Sequence, residues 1–232
     1  MDDLLQGLLQ GVKLLVAGDP ETWAIVALSL RVSGVALLLS ALVGLPLGAL
    51  LGLGRFWGQR LLVALTYTGM GLPPVVVGLF VYLLLSRSGP FGQLNWLFTP
   101  AAMVAAQTII SLPLVAGFTM TALRSVDPAL RLQVRALGAT RPQVALTLLW
   151  EVRFGVLVAL IAGFGSIISE VGAVMLVGGN IEGATRVLTT AIVLETRKGA
   201  FDLALALALV LLVITFAINT VALQVQQLLL QR

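Results

Sequence analysis

Residues Leu123–Gly155 read LRSVDPALRLQVRALGATRPQVALTLLWEVRFG. Arg124, Arg131, Arg135, Arg141 and Arg153 fall in this stretch, five of the fourteen basic residues in a chain of 232. On either side the chain is apolar. Overall it is 59% hydrophobic and 10% charged, with a mean hydropathy of +1.07. An average soluble domain is about 25% charged. Folded in water, such a chain would expose apolar surface that it could not cover. It reads as an all-α integral membrane protein, with the arginine-rich stretch as a loop between spans.

Working outward from that loop, a spanning helix needs about 20 apolar residues. Five segments qualify: 22–53, interrupted by Arg31; 61–86; a third that starts near Thr99, after the turn-forming SGPFGQLNW, and ends at Leu123; 154–177, containing Glu170; and 203–228. Between the last two, VLTTAIVL is too short to cross and suits a short helix at the membrane rim. Residues 1–21 form an N-terminal amphipathic interfacial helix or a tail, and 22–232 a single transmembrane domain with a loop at 124–153. The N-terminus opens with two aspartates and lacks the pattern of a cleaved signal.

Lys and Arg set the orientation. With five spans, Arg55, Arg60, the five loop arginines and Arg232 share one side, eight in all. Lys13, Arg87, Arg186, Arg197 and Lys198, five residues, share the other. This puts the N-terminus outside, and the loop and C-terminus in the cytoplasm of a multi-pass cell-membrane protein. Pro46, Pro73, Pro74 and Pro113 each remove a backbone donor and are expected to bend or break a span. Ser40, Gly44, Gly48 and Gly52 make a small-residue face, for close helix packing or as a hinge.

The loop has its own local grammar. Asp127 is placed to cap a helix that begins at Pro128. Gly138 permits a turn, and Thr140 caps a second helix with Pro142 in its first turn. That helix is expected to present Val144, Leu148 and Trp150. Two short helices bearing apolar knobs on a cytoplasmic face suit a groove on a partner; the same arginines also suit topology and lipid phosphates. Without Cys or His, the chain has no thiolate, His base or His metal site. With no Asp inside a span, an intramembrane aspartyl enzyme is excluded as well. A basic protein of this kind carries its charge for topology, not for nucleic acid.

GATRPQVALTLLWEVRFG resembles the EAA loop of ABC-importer membrane subunits. In that motif Glu-Ala-Ala precedes Gly by three residues, and an aliphatic and a Leu-Pro follow. Gly138 matches the glycine and Leu148 the aliphatic. Leu132, Gln133 and Val134 stand at the Glu-Ala-Ala positions, and Trp150 and Glu151 at Leu-Pro. ALSLRVSGVALLLSALVGLPLGALL is similar to the first core span of type I importer permeases. ISEVGAVMLVGGNIEGATRVLTTAIVLETRKGAFDLALALALVLL resembles the molybdate/tungstate/sulfate branch, most closely tungstate permeases of the TupB type.

The resemblance implies a type I ABC-importer permease in the cell (inner) membrane, importing an oxyanion, tungstate first and molybdate or sulfate as alternatives. It implies two copies of the chain, two ATP-binding subunits, and a periplasmic or lipoprotein-anchored oxyanion-binding protein. A coupling loop would dock each ATPase through Gly138, Ala139, Thr140, Arg141, Gln143, Val144 and Leu148. No GxxxxGK[ST] loop occurs, so ATP and Mg would belong to the partner, and this chain carries no cofactor.

Arg31 lies nine residues after Thr22 and Glu170 eight before Gly178, roughly 13 and 12 Å along a helix from the same side. They are expected either to pair in the bundle interior or to go separate ways. In the second case Arg31 snorkels, and Glu170 takes hydrogen bonds from Ser166, Ser169 or backbone. A carboxylate repels a dianion, so passing contacts fall to Arg31 and to hydroxyls such as Ser33, Thr108, Ser111 and Thr119. Arg186, Thr189 and Thr190 stand near the outer mouth. The rival class is a secondary transporter or channel, for which a single intramembrane Glu170 is the sole candidate driving site.

Overall fold

The computed structural model describes residues 19–230. Among them every long element is a helix: α1 (Pro20–Leu53), α2 (Gln59–Met70), α3 (Pro74–Leu85), α4 (Pro100–Arg124), α5 (Pro128–Ala136), α6 (Arg141–Glu151), α7 (Arg153–Ile168), α8 (Gly172–Gly178), α9 (Leu188–Lys198) and α10 (Phe201–Leu230). The interfacial helix expected at the N-terminus falls almost wholly outside the described residues. At the start of α1, Asp19 Oδ2 accepts from the Thr22 N–H at 2.8 Å and from its hydroxyl at 2.6 Å. These bonds hold the Asp19 carboxyl below its ordinary value.

Three helices are long and apolar enough to cross a bilayer alone, 20–53, 100–124 and 201–224; with two broken pairs counted as one each, the number is five. The expected second span is one of the broken pairs. Gly71, Leu72 and Pro73 interrupt it, leaving two twelve-residue helices, with Pro73 and Pro74 at the start of the second. Consecutive prolines lack two donors, and the first forces its predecessor out of helical geometry. Pro46 and Pro113, by contrast, stay inside continuous helices. The expected fourth span also breaks: α7 ends at Ile168 and α8 begins at Gly172, so Glu170 stands in the gap and not within a helix.

The chain clusters into two compact units. One comprises the described residues up to Ala36 with Pro73–Gln107 and Gly165 onward; the other comprises Leu37–Leu72 and Thr108–Phe164. In the first, Val26 of α1, Leu188 and Ala191 of α9, and Leu207 and Val210 of α10 form a buried cluster. Ser29 Oγ accepts from the Leu188 N–H at 2.9 Å, capping α9. A Cβ at Gly78 of α3 would stand 2.6 Å from Ala173 Cα of α8, so these two helices are in backbone contact.

In the second unit the small-residue face of α1 lies against α4. Ser40 Oγ hydrogen-bonds Ser111 Oγ. A Cβ at Gly48 would stand 2.6 Å from the Ala116 carbonyl oxygen, and one at Gly44 3.0 Å from Val115 Cγ1. A four-residue repeat returns to the same helix face, so one stripe of α1 meets one stripe of α4 throughout. Each unit also leaves apolar surface bare: Leu42 of the second is 72% and Phe216 of the first 74% exposed. Such a surface is stable only in a solvent as apolar as itself.

Candidate coupling surface and pathway residues

The arginine-rich stretch folds into α5 and α6 with Gly138 between them. Asp127 Oδ1 accepts from the Ala129 N–H at 2.8 Å, and Pro128 opens the helix. Gly138 has φ +83°, the left-handed region where a side chain is strained, and its missing Cβ faces open space. Backbone conformation, and no close approach, is what requires glycine there. Thr140 then caps α6: the Gln143 Oε1 accepts from its N–H at 2.8 Å and from its hydroxyl at 2.9 Å. The axis turns by 75° between α6 and α7. α6 therefore lies across the end of the apolar segment instead of extending it.

Val144 and Leu148 are not exposed knobs. They are 3% and 0% exposed, packed on Ala49 and Leu123, with Ala139 half-buried beside them. Their i, i+4 spacing marks the inward face of α6, and burial of that face is what seats the helix. The outward apolar residues are Leu132 at 65%, Leu137 at 87%, Leu146 at 67% and Trp150 at 68% exposure. Leu146 and Trp150 are also four apart; of the three residues expected to be presented, Trp150 is the one that is exposed, and Leu146 shares its stripe.

The arginines divide by role. Arg124 Nη2 donates to the Leu51 carbonyl at 3.1 Å, and Arg131 Nη2 donates to the Leu53 carbonyl. The Arg153 guanidinium lies 4.7 Å from the Phe154 ring centre and 5.6 Å from that of Trp150. Arg135 and Arg141 leave the loop with two exposed positive charges outside any ion pair among the described residues.

Arg31 and Glu170 do not pair. Among the described residues the ion pairs are Arg186–Glu182 at 3.2 Å and Lys198–Glu195 at 2.8 Å. Arg31 is exposed. Glu170 Oε1 accepts from the Ala173 N–H at 2.9 Å, closing the start of α8, while Thr189 Oγ1 donates to the Glu170 carbonyl at 2.9 Å. Three of the hydroxyl candidates are engaged in structure. Ser111 bonds Ser40, Thr189 Oγ1 donates to the Glu170 carbonyl, and Thr190 Oγ1 accepts from the Val187 N–H at 3.1 Å. Thr119 is buried with no partner for its hydroxyl.

Ser33 and Thr189, with Ser29 and Gln107, border a cavity of ≈ 10 Å³, about the size of one water and too small for a tetrahedral oxyanion. Gln107 was not singled out by sequence; its Nε2 donates to the Ile167 carbonyl at 2.9 Å across 60 residues. Arg186, with Glu182, Glu21 and Ile25, borders a larger cleft of ≈ 140 Å³.

Residues 44–232 match the family described as binding-protein-dependent transport system inner membrane component. The chain belongs to this family. A probable anion ABC transporter permease of Haloferax volcanii is 45% identical over 201 residues, 84% of this chain and 87% of that one. The tungstate uptake permease TupB of Peptoclostridium acidaminophilum is 39% identical over 227 residues, 98% of this chain and 100% of that one. The fold resembles a chain of the MetNI methionine ABC transporter in an inward-facing conformation. The TM-score is 0.73 at 19% identity, over 91% of this chain and 98% of that one. As a member of this transport family, the chain is the inner membrane component of its system.

Proposed function

We propose that the chain is the permease of an ATP-driven importer whose cargo is tungstate. Two copies line the path. Two ATP-binding subunits, which hold ATP and Mg, dock beneath them, and a binding protein outside supplies the oxyanion. The N-terminus faces outward and the Gly138 bend faces the cytoplasm. The observation that carries this reading is the outward stripe of α6 and its bend. Leu137, Leu146 and Trp150 stand exposed over a seated base of Val144 and Leu148, and Arg135 and Arg141 are exposed in the same loop. An exposed apolar stripe on a short helix within a cationic loop is what a groove-bearing partner binds.

The cargo follows the relatives' chemistry and this chain's charge. Arg31 is the exposed cation within α1 and is free to meet a passing dianion. Hydroxyls and helix ends offer weaker contacts, as transit demands, because tight binding would trap the ion. Specificity then rests on the binding protein.

Proteoliposomes holding the chain with its ATPase and binding protein test the reading. Uptake should require ATP and all three components, with tungstate displacing molybdate and sulfate. Replacing Arg31 with Gln should lower uptake roughly tenfold, the worth of one charge-assisted contact, and leave ATPase association intact. Uptake by the chain alone, driven by a proton gradient, would place it among secondary transporters.

A further inference from the structure

We propose that Arg131, backed by Arg124, is a positioning residue that locks the coupling loop to the end of α1, so that a push on the loop reaches the first span without slippage. The proposal rests on the reading of the loop as the ATPase docking site.

The last carbonyls of any helix lack partners within it and carry the negative end of its dipole. α1 is 34 residues long, and its own last turn contains no basic residue. Its end is satisfied from elsewhere. Gln59 Nε2 donates to the Leu51 carbonyl at 2.8 Å and to the Gly54 carbonyl at 2.9 Å. Arg124 Nη2 adds a second donor to Leu51, from 73 residues away, and Arg131 Nη2 reaches Leu53 from 78 residues away. Arg124 closes α4, and Arg131 lies within α5, the first helix of the loop.

Neither arginine is spent on a carboxylate among the described residues. Nor does local charge favour the place Arg131 occupies: burial, then the neighbouring Arg135 and Arg55, pulls its pKa down from the ordinary guanidinium value. Topology alone would be served by an arginine anywhere in the loop. This one stands beside two other cations with its Nη2 committed to a helix end, so the contact to Leu53 decides the position.

The apolar contacts of the same elements complete the link. Ala49 of α1, Leu123 of α4, and Val144 and Leu148 of α6 form one buried cluster, with Leu130 and Val134 of α5 against it. Apolar packing resists separation but is weakly directional, so surfaces that pack this way can slide. Charge-assisted hydrogen bonds to fixed carbonyls are directional and set the register.

The test uses the reconstituted complex with its ATPase and binding protein, and reads oxyanion uptake per ATP hydrolysed. That ratio does not depend on how much protein folds. Co-purification of the ATPase is scored separately, so a loop that never docks an ATPase is distinguished from a loop that docks but does not transmit. Arg131→Met should retain the ATPase and lower uptake per ATP by roughly 3- to 30-fold, the range of single-residue coupling effects. Arg131→Lys, which keeps the charge without the planar fork, should fall between Met and wild type. Arg131→Lys also provides the reading if Arg131→Met does not assemble. Wild-type uptake per ATP in either assembled variant would overturn the proposal.

Discussion

A carboxylate within an apolar run invites an ion pair, and Arg31 lies at a matching sequence depth. Glu170 closes a helix start instead, because a break at 169–171 leaves the first N–H groups of α8 without partners and a carboxylate is the nearest acceptor. Removing that bond with Glu170→Ala should lower stability by about 1 kcal/mol, as for other cap losses. The exchange of Arg31 and Glu170 should melt no higher than Glu170→Ala alone. Thermal unfolding in detergent checks both, and recovery of wild-type stability by the exchange would restore the ion pair. The caps at Asp127 and Thr140 were legible because their signals are local: a short polar side chain with a proline one or two residues on. Sequence did not reveal the cap at Glu170, because nothing local announces that the apolar run stops there. Nor did it distinguish the Val144/Leu148 stripe from the Leu146/Trp150 stripe, since both repeat every four residues and only the position of Ala49 and Leu123 decides which is covered.

At the scale of the element, helices were legible and their continuity was not. Hydropathy averaged over a window passes smoothly across Gly71–Pro73 and across 169–171, where the backbone stops being helical. Pro73 and Pro74 break a span whereas Pro46 and Pro113 do not, so a proline's presence does not determine its effect. The paired prolines next to Gly71 concentrate three helix-weakening residues in four positions. The α1 stripe was legible as a place of close approach, and its partner, α4, was supplied by the structure. The stripe yields a sharp comparison within one helix. Gly48→Ala puts a methyl 2.6 Å from the Ala116 carbonyl oxygen and 2.8 Å from Thr119 Cβ, and should cost about 1–3 kcal/mol by overpacking. Gly34→Ala meets nothing within 4 Å and should be neutral, or gain up to about 1 kcal/mol from helix propensity. Equal melting of the two variants in detergent would mean that α1 and α4 are not in backbone contact.

For the molecule as a whole, the membrane class was legible in composition and hydropathy, and the gathering of arginines marked out the loop between spans. The structure adds what those arginines do. Two hold the end of the first span, one stacks on Phe154 and Trp150, and two are exposed outside any ion pair among the described residues. The site of passage was the least legible feature. Ser33 and Thr189 border a water-sized cavity, and Ser111 is tied to Ser40, because hydroxyls in an apolar bundle first satisfy neighbouring backbone and one another. If the chain works as proposed, the bend at Gly138 offers Leu137 to an ATPase inside the cell. The chain has no cysteine, so Leu137→Cys creates a single labelling site. A membrane-impermeant maleimide should label it in inside-out vesicles, fail to label it in intact cells, and be blocked when the ATPase is bound. Labelling from the outer face, or labelling undiminished by the ATPase, would contradict the account.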